Sequence, residues 1–154
     1  MVEKKYPNLF SPIQIGSLTL KNRIEAAPTS LEDFTEQEVT PRGWIEYYAR
    51  RAAGGAAIVT IGEVPVITAT GPTQHNMLDI DNPDTMPWLN KVADAIHQQG
   101  AVASLELSHG GAAALRSFLH GNQAMAPSAT TCVFAPDEEV REMTEDDIWD
   151  VIHA

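Results

Sequence analysis

Apolar residues in this chain recur with two periods, and the switches between them mark the elements. Ile13-Gln14-Ile15 and Leu18-Thr19-Leu20 alternate on either side of Gly16-Ser17. This predicts a β-hairpin over 13–20 with a two-residue turn and a positive φ at Gly16. Arg23 to Pro28 reads as a short strand that Pro28 ends, because proline has no N–H to give a central ladder. A polar loop follows to Val39. Thr40 and Pro41 then open a helix as N-cap and first helical residue. Trp44, Tyr48 and Ala52, with Ile45, form its apolar face, and Gly54-Gly55 stops it. Ala56 to Val66 is a second strand, and its unbroken start, Ala56-Ala57-Ile58-Val59, suits burial on both faces.

Thr68 to Pro83 reads as a long loop around Gly71-Pro72. The helical period returns from about Thr85 to Gln99, with Leu89, Val92, Ala93 and Ile96 as its stripe and Gly100 as its stop. Ala101 to Leu107 is the third strand. His109-Gly110-Gly111 starts a loop that carries Ala126-Pro127-Ser128. Thr144 caps a third helix whose first turn holds Glu145, Asp146 and Asp147 near the positive end of the macrodipole. Ile148, Trp149, Val151 and Ile152 are expected to begin its buried face.

Strands that alternate with helices pair in parallel through right-handed crossovers. No G-x-G-x-x-G follows any of the three strands, and there is no G-x-x-x-x-G-K-[ST], so dinucleotide-binding and P-loop folds lose their main signatures. The class is therefore α/β: the N-terminal part of a (β/α)8 TIM barrel, with a hairpin at its base and about three parallel strands. Three strands do not close a barrel. Residues 1–154 read as one partial, truncated domain, with the hairpin at 13–20 and β/α units starting near 23, 56 and 101. In such a fold, chemistry gathers at the carboxyl ends of the strands. Those ends are Ala27-Pro28-Thr29-Ser30, Ile61-Gly62-Glu63 and Glu106 to Gly111.

Charge and composition narrow the partners. The net charge of −11 disfavours nucleic acid and anionic membranes. Eight of the 21 acidic residues lie between Asp137 and Asp150, a solvated turn and helix start. No apolar run reaches a membrane span, and no signal peptide follows Met1, so the default location is cytoplasmic. The single cysteine, Cys132, excludes an intrachain disulfide and any multi-cysteine metal site, and the histidines have no metal-ligand spacing.

Several segments together resemble the old yellow enzyme family of NADH:flavin oxidoreductases. They are Leu9-Phe10-Ser11-Pro12-Ile13, Leu20-Lys21-Asn22-Arg23-Ile24, Ala26-Ala27-Pro28 and Tyr47 to Gly55. Asp94-Ala95-Ile96-His97, Ala126-Pro127-Ser128 and Met143-Thr144 continue the match. The resemblance covers essentially the whole chain in order. It implies a TIM barrel that holds FMN noncovalently, takes hydride from NAD(P)H and passes it to an activated C=C bond of a small-molecule substrate. It places Ala27, Pro28 and Thr29 beside the flavin and Ser30 where a hydroxyl tunes it near O4. Gly62 falls where a bulky side chain would push against the ring.

Glu106 falls where most ene-reductases carry Gln. An ionised carboxylate only accepts, so it suits the flavin N3–H and opposes the O2 or O4 edge. Glu106 before Gly110-Gly111 is closer to the branch of trimethylamine dehydrogenase and 2,4-dienoyl-CoA reductase. In that branch an iron–sulfur cluster lies outside the segment that these residues match. The resemblance puts the substrate-anchoring pair, the proton-donating Tyr and the phosphate site on later strands. No catalytic residue is therefore assigned within 1–154, and the isolated chain is expected to be inactive. The alternative is a stand-alone half-barrel that binds a second chain or itself through open strand edges.

His109 is open to two readings, a ligand contact to flavin or substrate and a structural histidine. Glu63, one past Gly62, reads as structural rather than as a second site carboxylate. Tyr47 and Tyr48 read as core, and Cys132 as an inert thiol.

Overall fold

The computed structural model describes residues 5–30, 41–75, 77–78, 80–81, 83–119 and 121–154. The expected cap Thr40 and the polar stretch to Val39 lie outside them. The chain divides into two compact units; the described residues of the first lie within 5–29, 41–62 and 87–106, and those of the second are Ser30 and residues within 63–86 and 107–154.

In the first unit, β1 (Ile13–Ile15) and β2 (Leu18–Leu20) form the predicted hairpin, with Ile15 opposite Leu18. Gly16 has φ +57°, the left-handed value a tight two-residue turn requires. Asn22 then fastens the chain. Its Nδ2 donates to the Gly55 carbonyl at 2.8 Å, and its Oδ1 accepts from the Ile24 N–H at 3.0 Å. This buried amide ties the entry of β3 (Glu25–Thr29) to the turn that follows α1 (Pro41–Ala53).

The main sheet has the order β3–β4–β5, with β4 at Ile58–Pro65 and β5 at Val102–Ser108. β3 and β4 are parallel. α2 spans Met86–Gln98. Tyr48 and Ala52 of α1, Leu89, Val92 and Ile96 of α2, and Val59 and Ile61 of β4 are all buried. They make the core of this unit, and each buried aliphatic side chain contributes about 1.5–3 kcal/mol. Alternation along β4 sends Thr60 and Gly62 to the opposite face. There the Thr60 hydroxyl donates to Glu25 Oε1 at 2.6 Å, so Glu25 reaches the neighbouring strand.

β3 does not stop at Pro28. It runs to Thr29, because the register shifts between Ala26 and Thr29 and the proline sits within that irregularity.

The second unit holds three short strands where the sequence predicted only loop. β6 (Met125–Ala126) pairs in parallel with β8 (Glu139–Glu142), and β7 (Thr130–Thr131) pairs antiparallel with β8. Ala114, Leu119, Ala124, Ala126, Cys132 and Val140 cluster beneath them. α3 (Glu145–His153) begins at Thr144 with the full reciprocal cap. The Thr144 hydroxyl accepts from the Asp147 N–H, and the Asp147 carboxylate accepts from the Thr144 N–H. Arg141 clamps Asp147 with two bonds, at 2.6 and 2.7 Å.

The expected buried face of α3 is a correction. Ile148, Trp149 and Ile152 are exposed, and Trp149 stacks on His153 one turn away. A helical stripe shows which face would bury well; burial itself needs a neighbour.

Candidate functional site

Five of the strand-end residues singled out in the sequence belong to the first unit: Ala27, Pro28, Thr29, Gly62 and Glu106. Three of them form a row across the sheet. A Cβ built on Gly62 would lie 2.6 Å from Glu106 Oε2 and 2.7 Å from the Pro28 Cβ. The side chains of β3 and β5 therefore lean over a β4 position that has none. Only glycine permits this approach, and its backbone is otherwise ordinary, with no left-handed φ. Pro28 and Glu106 are exposed while Gly62 is buried between them, so the row presents a small apolar and carboxylate surface.

Thr29 and Ala27 contribute mainly backbone. The Thr29 hydroxyl turns back to the Ala27 carbonyl at 3.2 Å, and the Thr29 carbonyl accepts from Tyr48 Oη at 2.6 Å. Tyr48 is a residue that sequence reasoning left in the core. Its ring is indeed buried, but its hydroxyl reaches the strand ends. Burial, followed by the neighbouring Tyr47, raises its phenol above the ordinary range; Gly62 and Arg51 oppose this. The signal available in the sequence was a Tyr, where Leu or Phe would fill the same space, on the inner face of α1.

Ser30 and His109 belong to the second unit. Ser30 Oγ accepts from the Glu63 N–H at 2.5 Å and makes a longer 3.4 Å bond to the Glu63 carbonyl. The Glu63 carboxylate accepts from the Thr73 hydroxyl at 3.3 Å. Both nitrogens of His109 are engaged. Nδ1 accepts from the Gly111 N–H at 3.2 Å, and Nε2 lies 3.0 Å from the Thr70 hydroxyl. Nδ1 thus carries no proton, and the neutral ring donates from Nε2. Burial holds the imidazole below its ordinary pKa, which keeps it neutral. In this conformation His109 joins two loops of its own unit.

A flavin suits the row in the first unit on two counts. The Gly62 position keeps side-chain bulk away from one flat face, and Glu106 supplies the acceptor that an imide N–H requires.

A sequence profile of the NADH:flavin oxidoreductase / NADH oxidase family matches residues 8–154. The chain is 31% identical over 147 residues to the NADH oxidase of Thermoanaerobacter brockii, covering 96% of this chain and 22% of that protein. It is 35% identical over 144 residues to a metal reductase of Desulforamulus reducens, covering 94% and 21%. Among solved structures, morphinone reductase in complex with tetrahydroNAD superposes with a TM-score of 0.82 at 25% identity, covering 96% of this chain and 44% of the other. The chain thus spans about a fifth of these two relatives and under half of that reductase. The α/β fold described above is the N-terminal part of a TIM barrel of the old yellow enzyme type. On the profile match over nearly its whole length, the chain belongs to the NADH:flavin oxidoreductase / NADH oxidase family.

Proposed function

We propose that these residues form one side of the FMN site of an NAD(P)H-dependent oxidoreductase that reduces an activated C=C bond in a small-molecule substrate. The observation that carries this reading is the Pro28–Gly62–Glu106 row, at the strand ends of a chain that matches the family over 8–154. Bound FMN supplies the hydride relay between nicotinamide and substrate. The backbone of Ala27, Pro28 and Thr29 lines the ring, Gly62 leaves room for it, and Glu106 accepts from the imide N–H. Ser30 holds a hydroxyl toward the O4 side, and His109 contacts ligand only after its loop bonds are broken.

The same reading assigns flavin contact, and no turnover, to these 154 residues alone, in keeping with the 21–22% of the two curated relatives that they span. A cytoplasmic setting fits; among the described residues no helix is long and apolar enough to cross a membrane. Any iron–sulfur cluster would be held elsewhere, since the chain has one cysteine.

The test is a titration of FMN into the 154-residue chain, followed by flavin fluorescence, alongside NAD(P)H oxidation with a cyclic enone. Saturable quenching that Glu106→Ala weakens, without turnover, is expected. No quenching, or quenching indifferent to Glu106 and Gly62 substitutions, would sink the flavin assignment. A second reading, favoured by the exposure of Ile148, Trp149 and Ile152, is a non-catalytic half-barrel that associates with another chain or a copy of itself. Light-scattering mass separates the two, since the first reading requires no oligomer.

A further inference from the structure

Within the second unit, the loops that follow β4 and β5 cross at two glycines. The Gly110 N–H donates to the Gly71 carbonyl at 2.8 Å. A Cβ on Gly110 would lie 2.8 Å from that same oxygen and 2.6 Å from the Thr73 methyl carbon. A Cβ on Gly71 would lie 2.7 Å from the Ile67 carbonyl oxygen. Neither position has room for a side chain, so the two backbones run in contact. Just before the crossing, the Val66 N–H donates to the Ser108 carbonyl at 3.0 Å. Asp81 closes the base of the first loop, its carboxylate accepting from the Thr68 N–H at 2.9 Å and from the Thr68 hydroxyl.

The His109 side chain spans the crossing. Nδ1 accepts from the Gly111 N–H of its own loop at 3.2 Å, and Nε2 lies 3.0 Å from the Thr70 hydroxyl of the other. The imidazole is rigid, so its two nitrogens move together. A proton on Nδ1 would oppose the Gly111 N–H, and the ring would have to turn away from it. That turn also withdraws Nε2 from Thr70. The charged groups of the facing segment are Glu63, which accepts from Thr73, and Asp81; His75 packs edge-on against Phe118. On the side of His109 itself, Glu106 lies three residues before it, and Glu138 accepts from the Arg116 N–H. Burial is what lowers the affinity of the latched ring for a proton.

We infer that His109 is a pH-operated latch: its neutral ring pins the loop after β5 to the loop after β4, and protonation lets the two part at the Gly71–Gly110 crossing while the rest of the second unit stays folded. The latch does not rest on the function proposed above.

The test is amide exchange of the whole chain at pH 7.5 and pH 5.5, with each rate divided by its intrinsic value at that pH. A released ring titrates near its ordinary pKa of about 6.5, so the open form gains up to about tenfold between these two pH values. Protection of the Gly110 N–H should fall by up to that factor in the wild type. It should hold constant in His109→Asn, which does not titrate. The Cys132 N–H, bonded to the Glu138 carbonyl at 2.8 Å in the same unit, should lose far less. Constant Gly110 protection in the wild type, or equal losses at Gly110 and Cys132, overturns the inference. So does an equal loss at Gly110 in wild type and His109→Asn. Should His109→Asn not fold, NMR of the wild-type ring decides. A proton on Nε2 at pH 7.5, with a ring-to-Thr70 contact that disappears at pH 5.5, is expected. A proton on Nδ1 at pH 7.5, or a contact that persists in acid, overturns the latch.

Discussion

His109 Nδ1 accepts a hydrogen bond from the N–H of Gly111, two residues ahead of it. A protonated ring could not accept there and would set two donors against each other. Burial lowers the folded pKa, so the unfolded chain takes up the proton first as pH falls. Stability from this group is complete above the unfolded value of about 6.5 and is lost as pH falls through the folded value. Between about pH 7.5 and about pH 5.5, the melting temperature of the wild type should fall more than that of His109→Asn, which keeps an acceptor and does not titrate. Parallel pH profiles for the two proteins would remove His109 from the account.

Gly62 should tolerate no side chain while Glu106 and Pro28 stay where they are. Gly62→Ala puts a carbon within 2.6 Å of Glu106 Oε2 and 2.7 Å of the Pro28 Cβ. The expected cost is about 1–3 kcal/mol by denaturant unfolding. Glu106 can swing aside and the proline ring cannot. Gly62→Ala/Glu106→Ala should therefore lose less than the sum of the single variants, by about 1 kcal/mol. Strict additivity would mean that the two residues do not share this space.

At the start of α3, Thr144→Ala removes the acceptor for the Asp147 N–H and should cost about 1 kcal/mol, with fraying seen in amide exchange of the first turn. Asp147 is held well below the usual carboxylate range, first by its bond to Arg141 and then by Thr144. Its contribution is present above an unfolded value of about 3.9 and is lost as pH falls through the folded one. Asp147→Asn should lower the melting temperature at neutral pH and flatten its decline in acid. An unchanged acid limb would contradict this.

The hairpin, α1, α2 and the three main strands were legible because their signals are local: Gly16-Ser17 between alternating pairs, Leu89 to Ile96 at helical spacing, and glycines after each of these two helices. β6, β7 and β8 were not. Each is two to four residues long, and Met125 finds Arg141 across a loop that has no periodicity of its own. The extension of β3 past Pro28 was hidden for a different reason. A proline normally ends a central strand, and here the ladder absorbs it as a register shift between Ala26 and Thr29. The candidate site was legible as residues and not as bonds. Pro28, Gly62 and Glu106 could be named from the strand ends, whereas the engagement of Ser30 with Glu63 and of His109 with Thr70 and Gly111 depends on loop paths that composition does not encode.

The one thiol of the chain is closed inside the cluster of Ala114, Leu119, Ala124, Ala126 and Val140, 1% exposed, with its sulfur 3.7 Å from the Ala114 carbonyl. A disulfide reagent can reach Cys132 only when that cluster opens. Labelling at low reagent concentration therefore counts openings of the second unit alone, because the first unit holds no cysteine to report. The chain carries its own clock for one of its two halves.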